Sequence, residues 1–93
     1  MKKTKPARLA EDLGLPKSRA MEAVVKAELI SAVLKEIDRT GVTHAELAER
    51  SGLARSAVTG VLSGSLQRVT IDRILRLVDA AGLEAHVKVK RAA

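Results

Sequence analysis

The side chains that usually carry catalysis or bind metals are few in this sequence and do not cluster. The two histidines, His44 and His86, belong to different predicted elements and lack the spacing of a metal-binding pair. The chain has no cysteine, which excludes disulfides and thiolate metal sites. No glycine-rich phosphate loop or activated nucleophile is present, and the neighbouring acids Glu11 and Asp12 are typical of a solvated surface. We therefore predict no enzyme activity, no cofactor and no metal.

The most informative stretch of the chain is instead residues 43–64, which read THAELAERSGLARSAVTGVLSG. Two short helical patterns in this stretch are separated by Gly52. Ala48 is small where two helix backbones would approach, and Val58 and Val61 would fill the crossing. This is the layout of a helix-turn-helix, whose first helix supports a second one in the DNA major groove. The residues therefore predict noncovalent recognition of DNA.

Four helices are predicted to build this unit. Apolar spacing predicts the first from about Ser18 to Thr40, ended by Gly41. Its predicted buried face is Ala23, Ala27, Ile30, Leu34 and Ile37, with Lys26, Glu28, Lys35, Glu36, Asp38 and Arg39 outside it. A capping box of Thr43 and Glu46 starts the second helix, which runs to about Ser51. The third is predicted over residues 55–63, ended by Gly64.

The fourth predicted helix begins at a cap formed by Thr70 and ends at Gly82. Val69 is expected to pack against Ile74 across its first turn, where Asp72 is favourable. Its predicted buried face is Ile71, Ile74, Leu75, Val78 and Ala81. Leu47, Leu53 and Leu62 are expected to complete a small core with the first and fourth helices.

The chain then changes to a period of two, because Leu83, Ala85, Val87 and Val89 alternate with polar residues. A lone strand leaves backbone groups unpaired, so we expect antiparallel pairing with the same strand of a second subunit. Pairing with the N-terminal segment of the same chain is the alternative. The expected fold is all-α, with about four to five helices and a C-terminal β-strand pairing across a dimer. Its predicted parts are a basic, partly flexible segment at 1–16, a DNA-binding domain at 17–82 and a dimerisation segment at 83–93.

Charge and composition favour duplex DNA as the partner. The 93-residue chain has a net charge of +6, and the excess lies in residues 1–40 and 65–93, while residues 41–64 are neutral. Flanking Lys and Arg are therefore expected to attract phosphates around a neutral reading element. The chain has no aromatic residue, which argues against single-stranded nucleic acid and RNA. Without a membrane-length apolar run or signal peptide, a cytoplasmic protein is expected, nucleoid-associated when DNA-bound.

The central stretch resembles the Cro and phage-repressor (XRE) class of helix-turn-helix regulators, a lambda-repressor-like fold. The matches to that motif are Thr43, Leu47, Ala48, Gly52, Val58, Thr59 and Gly64. The stretches D-L-G-L-P at 12–16, K-A-E-L at 26–29, V-T-I-D-R-I-L at 69–75 and the V-K-V-K tail resemble the HigA-type antitoxin branch. The resemblance implies a repressor of a palindromic operator, homodimeric, that neutralises a RelE/HigB-like toxin. A stand-alone phage-type repressor and a protein-interaction module that uses the helix-turn-helix as scaffold are the alternatives.

The resemblance also implies site residues. Those in base-reading positions are Arg55, Ser56, Thr59 and Gly60, and those expected at phosphates are Thr43, His44, Ser63, Ser65, Gln67 and Arg68. Two residues depart from the family pattern. His44 replaces the usual glutamine, so its pairing with a neighbouring recognition residue is expected to be lost, and Ala54 replaces the usual Ser or Thr cap.

Overall fold

A computed structural model describes residues 6–63 and 68–92, and these residues form five α-helices. In chain order the helices are α1 (Pro6–Leu13), α2 (Lys17–Thr40), α3 (His44–Ser51), α4 (Arg55–Ser63) and α5 (Ile71–Ala80). α1 packs on α2, and α2 to α5 pack around one core. The all-α prediction is confirmed. Gly64, Ser65 and Gln67 lie outside the described residues, so the predicted end of α4 and two of the predicted phosphate contacts are not described.

Helix α1 was not predicted by the sequence, which indicated a partly flexible basic segment there. The helix contacts α2, and Ala10 is only 8% exposed. The Leu15 N–H donates to the Ala10 carbonyl at 2.9 Å and closes the helix end. An eight-residue helix is marginal alone, so α1 depends on its packing against α2. A tertiary contact of this kind leaves little trace in local periodicity.

Helix α2 has the predicted C-terminus, but its buried face differs from the prediction. Gly41 has φ +72°, a left-handed conformation that favours glycine, and its N–H donates to Ile37 O at 2.8 Å. The buried residues are Ala20, Lys26, Ile30 and Val33, whereas Ala27 is exposed and Leu34 is 42% exposed. The predicted stripe was correct for Ile30, which is buried, and for Ile37, which packs against the core. It was wrong for Ala27 and Leu34, because the long helix packs against three helices, α1, α4 and α5, and not against one partner.

Lys26 was predicted to lie outside the buried face, but it is only 4% exposed. Its Nζ lies 2.9 Å from Oε1 of Glu22, one turn earlier on the helix. The hydrogen bond and charge of the Lys26 ammonium lower the pKa of the Glu22 carboxyl. The buried ammonium therefore has a half-buried carboxylate as its partner, and a buried lysine requires such a partner.

The core is built from aliphatic side chains of α2 to α5. Its largest fully buried members are Leu47, Ile74, Leu77, Val33 and Val58. Ala48, Leu53 and Leu62 pack against this cluster, as the sequence predicted. On α5 the predicted face is partly wrong: Leu77 and Ala80 are buried, while Leu75 is 42% exposed.

The start of α5 follows the prediction. Thr70 Oγ1 accepts from the Arg73 N–H at 3.4 Å, and Val69 and Ile74 are both members of the core cluster. Asp72 lies in the first turn, where a negative charge is favourable. Beyond the helix, Gly82 has a positive φ, as expected for a residue that closes it.

The C-terminal strand is absent from the single chain. Leu83 packs against the core and its N–H donates to Val78 O at 2.9 Å, but residues 83–92 form no strand. Ala85 is exposed, and Val87 and Val89 are 81% and 90% exposed. The physical reason is that no other described segment of the same chain offers backbone partners to this one. Pairing with the N-terminal segment, where described, does not occur.

Candidate functional site

The start of α3 is held by the predicted capping box. Thr43 Oγ1 accepts from the Glu46 N–H at 3.1 Å, and Glu46 Oε1 accepts from the Thr43 N–H at 3.3 Å. The Thr43 hydroxyl also lies 3.1 Å from Glu46 Oε1. This hydroxyl is thus engaged within the fold, although it was expected at a phosphate. The arrangement gives α3 a fixed N-terminus.

The turn between α3 and α4 is also closed by local hydrogen bonds. Gly52 has φ +75° and its N–H donates to Ala48 O at 3.0 Å. The Ser51 hydroxyl accepts from the Leu53 N–H at 3.2 Å and donates to Ala48 O at 3.4 Å. The sequence predicted the role of Gly52 but missed that of Ser51. A short polar residue just before a helix-ending glycine is the signal that could have indicated it.

Helix α4 has one buried and one exposed side. Val58 and Val61 are 0% and 4% exposed and face the core. Five residues share the opposite side and are all exposed: Arg55, Ser56, Thr59, Gly60 and Ser63. At 3.6 residues per turn these five positions fall within an arc of about 140°. The four residues predicted to read bases therefore lie on a single solvent-facing surface, which we call the α4 outer face.

The beginning of α4 lacks a side-chain cap. The Ala54 carbonyl accepts from the Val58 N–H at 3.1 Å, but the alanine side chain cannot bond the first N–H groups of the helix. Ala54, Arg55 and Ser56 are all exposed. The positive end of the α4 dipole therefore faces solvent, where an anion is favourable.

His44 contacts α4 directly, which the sequence did not predict. Its Nδ1 lies 3.0 Å from Thr59 Oγ1. We expected the exchange of glutamine for histidine to abolish pairing with a recognition residue, and that expectation was wrong. The imidazole is stiff but long enough to reach across the helix crossing from the first position of α3. The pair joins α3 to the α4 outer face.

Charges are distributed unequally between the two helices. Arg50 on α3 is used within the fold, because its guanidinium lies 3.4 Å from both Ala80 O on α5 and Glu46 Oε2. Arg55 is exposed and makes no ion pair or hydrogen bond with the described residues. It is the one cation on α4. An anionic or hydrogen-bonding ligand at the α4 outer face would therefore meet Arg55 first.

The remaining predicted phosphate contacts differ in their surroundings. The exposed Ser63 hydroxyl donates to Thr59 O at 2.6 Å, so its hydrogen is already used inside α4. Arg68 is exposed on the segment that leads to α5. Of the predicted set, the structure brings Thr59 and His44 into contact and places the other described members on the same or neighbouring elements.

Other classes of site find no support in the part of the chain that the structure describes. Over residues 6–63 and 68–92, no three His, Asp or Glu side chains come together as metal ligands would. None of the described helices combines the length and the apolar character that a membrane span requires.

Comparison with known proteins agrees with this geometry. A family model described as a helix-turn-helix domain matches residues 9–90. The match extends from α1 through the segment after α5 and so includes the whole α4 outer face. No curated protein and no solved structure shows significant similarity to the chain.

Proposed function

The chain belongs to the family of helix-turn-helix domains, and we propose that it is a sequence-specific transcriptional repressor that binds duplex DNA. The observation that carries the proposal is the α4 outer face. It presents Arg55, Ser56 and Thr59 to solvent on a helix that α3 and the core hold rigidly from behind. This helix would lie in the major groove, where base edges display distinct donor and acceptor patterns. The family is typically non-enzymatic, and we propose no catalysis.

The proposed roles follow from exposure and charge. Arg55 would donate two hydrogen bonds to a guanine, the contact for which its planar guanidinium is suited. Ser56 and Thr59 would contact neighbouring bases, and Gly60 would allow the helix backbone to approach the groove. Phosphates would be bound by His44 and Arg68, together with Ser65 and Gln67 from the predicted set. The hydroxyls of Thr43 and Ser63 already donate within the fold, so we do not propose them as phosphate donors. The uncapped N-terminus of α4 would add backbone N–H donors for a phosphate.

A salt titration with Arg55→Ala tests the DNA-binding proposal. Sequences enriched from a randomised duplex library should bind with an affinity that falls steeply as salt rises, because bound cations release counterions from DNA. Arg55→Ala should reduce discrimination against a substituted guanine by about 1–3 kcal/mol, or roughly 5- to 150-fold. Arg8→Ala on α1 is the matched control, since it removes the same charge from an exposed helix that packs on α2. An affinity for DNA that did not change with salt would contradict the proposal. Equal losses of discrimination in Arg55→Ala and Arg8→Ala would also contradict it.

We further propose that the protein is a homodimer joined through residues 83–90. Antiparallel pairing of two copies would give the exposed Ala85, Val87 and Val89 a common apolar face. A two-fold axis at Val87 would place Glu84 opposite the partner's Lys90, a favourable cross-strand charge pair on the other face. Sedimentation equilibrium tests this register: Glu84→Lys should weaken the dimer, and adding Lys90→Glu should restore it. A double variant that is as weak as the single one would rule the register out.

We also propose a more specific role, that of an antitoxin. It is supported by the segments at 12–16, 26–29 and 69–75 that resemble the HigA-type branch. The partner would be a small basic RelE/HigB-like toxin encoded beside this gene. Expressing that neighbour alone should arrest growth, and co-expression of this chain should restore it. If expression of the neighbouring gene did not affect growth, the antitoxin role would be excluded and a stand-alone repressor would be favoured.

A protein-interaction module is the second candidate, and one observation favours it. Met21 and Val25 lie one turn apart on α2 and are 46% and 38% exposed, an apolar surface on a chain whose central stretch is neutral. In that case the helix-turn-helix would serve as scaffold. The same salt titration separates the two functions, because a scaffold would show no sequence-dependent affinity for duplex DNA.

A further inference from the structure

We propose that His44 makes the Thr59 hydroxyl a hydrogen-bond acceptor toward DNA, so that Thr59 reads the amino group of an adenine or cytosine. The inference rests on the proposed DNA-binding function and assigns the chemistry of one base contact within it. The observation behind it is the 3.0 Å approach of His44 Nδ1 to Thr59 Oγ1, between α3 and the α4 outer face.

The second ring nitrogen of His44 is accessible. His44 is half-buried, and its Nε2 has no hydrogen-bond partner among the described residues. No buried side-chain nitrogen or oxygen in that part of the chain lacks a partner, so Nε2 must reach solvent. The imidazole therefore contacts Thr59 through Nδ1 and can contact a ligand through Nε2.

A DNA phosphate at Nε2 would fix the position of the imidazole proton. Phosphate oxygens only accept hydrogen bonds, so the nitrogen that faces them must carry the hydrogen. A neutral imidazole has one N–H, and Nδ1 is then left as an acceptor. The only hydrogen available for the 3.0 Å contact is then that of the Thr59 hydroxyl.

The consequence concerns the face that Thr59 presents to a base. A hydroxyl has one hydrogen and two lone pairs. With its hydrogen directed to His44, Thr59 Oγ1 offers only lone pairs to the major groove. The major-groove donors are the N6 amino group of adenine and the N4 amino group of cytosine, whereas guanine and thymine present acceptors at the equivalent positions. Thr59 should therefore favour adenine or cytosine on the contacted strand.

Glutamine at position 44 should relax this preference. Its side-chain amide carries both a donor and an acceptor and can rotate to present either to Thr59. The hydroxyl would then be free to donate or to accept. His44→Gln thus preserves a possible α3–α4 hydrogen bond while removing the restriction, which a purely structural role for the pair would not predict.

Selection from a randomised duplex library at pH 8, where imidazole is ordinarily neutral, tests the inference with the full chain. The wild type should enrich adenine or cytosine about 2- to 10-fold over guanine and thymine at one position of each half-site, as expected for one neutral hydrogen bond. Thr59→Val should abolish this preference at that position alone, and His44→Gln should admit guanine or thymine there. Thr40→Val is the matched control, because it removes a threonine hydroxyl whose partners are Glu36 O in α2 and the Val42 N–H just after it, and none on α4.

The outcomes separate the inference from the function on which it rests. Enrichment of guanine or thymine at the position sensitive to Thr59→Val would overturn the inference, as would a motif that neither Thr59→Val nor His44→Gln changes. In both cases DNA binding would stand. No enriched motif for the wild type would overturn the DNA-binding proposal together with the inference. Circular dichroism of each variant verifies that it is folded, and Thr59→Ser, which keeps the hydroxyl, should retain the wild-type preference.

Discussion

Helices α3 and α4 are neighbours of almost equal length, 8 and 9 residues, yet they use their polar groups in opposite ways. In α3 these groups are directed into the fold: Glu46 completes a capping box and Arg50 reaches Ala80 O on α5. In α4 the beginning is uncapped, and the side chains of Arg55 and Ser56 bond to no described residue.

The difference indicates that α3 stabilises the helix-turn-helix and that α4 is available to bind a partner. Polar groups that are satisfied inside the protein contribute to its stability and are not available to a ligand. Polar groups held on a rigid exposed helix contribute little to stability and are free to bind. We therefore expect changes in α3 to alter the free energy of unfolding, and changes on the α4 outer face to alter binding. The His44–Thr59 contact is the place where the two roles meet.

The largest expected effect comes from the buried side of α3. Leu47 is fully buried, so Leu47→Ala should lower the free energy of unfolding by about 2–5 kcal/mol through lost apolar contacts and a residual cavity. Urea denaturation measures the loss. Leu75→Ala is the matched control, because that leucine on α5 is 42% exposed, and it should cost clearly less. Equal losses would show that the α3 face is not the main support of the motif.

A smaller effect on stability is expected at the helix N-termini, where the cap of α3 can be removed and a cap can be added to α4. Thr43→Ala removes the capping box and should cost about 1 kcal/mol of unfolding free energy. Ala54→Ser offers α4 the cap that it lacks and should stabilise the protein by about 0.5 kcal/mol. Hydrogen exchange of the first α3 and α4 amides measures each change locally. If Ala54→Ser lowered the stability, the N-terminus of α4 would not be one that simply lacks a side-chain cap.

The comparison also shows which features could be predicted from sequence. The boundaries of α3 and α4, the capping box and the glycine turn depend on residues within a few positions of one another, and they were predicted. The predicted strand at 83–90 was wrong for the single chain, because an alternating sequence pattern cannot supply a backbone partner.

Features that depend on distant contacts were missed. Helix α1, the burial of Lys26 and the true face of α2 are set by which helices pack on them, and periodicity does not contain that information. Within the site, the outer positions of α4 follow from helical spacing. The His44–Thr59 contact spans 15 residues and the crossing of two helices, so only the folded structure could reveal it.

A similarly small change in stability is expected at Gly60, and it is the change that best separates stability from binding. Among the described residues, a Cβ added at Gly60 would meet no atom of another element within 4 Å, so the fold itself does not require glycine. Gly60→Ala should stabilise the free protein by about 0.5–1 kcal/mol, because glycine is a poor helix former. If the α4 backbone approaches DNA closely at this point, the same methyl group should weaken binding by about tenfold, the cost of a modest steric overlap.

Two measurements on this variant, thermal unfolding without DNA and affinity for the enriched duplex, should thus move in opposite directions. The exposed Ala32→Gly on α2 is the control, and it should destabilise by a similar amount without changing the intrinsic affinity for DNA. A gain in stability with unchanged affinity would mean that Gly60 stands clear of the groove and that reading is confined to Arg55, Ser56 and Thr59. A loss of stability would contradict the view of α4 as a helix whose outer face is free of the fold. The glycine is informative because the fold makes no demand on it, so any loss of affinity must arise from the bound partner.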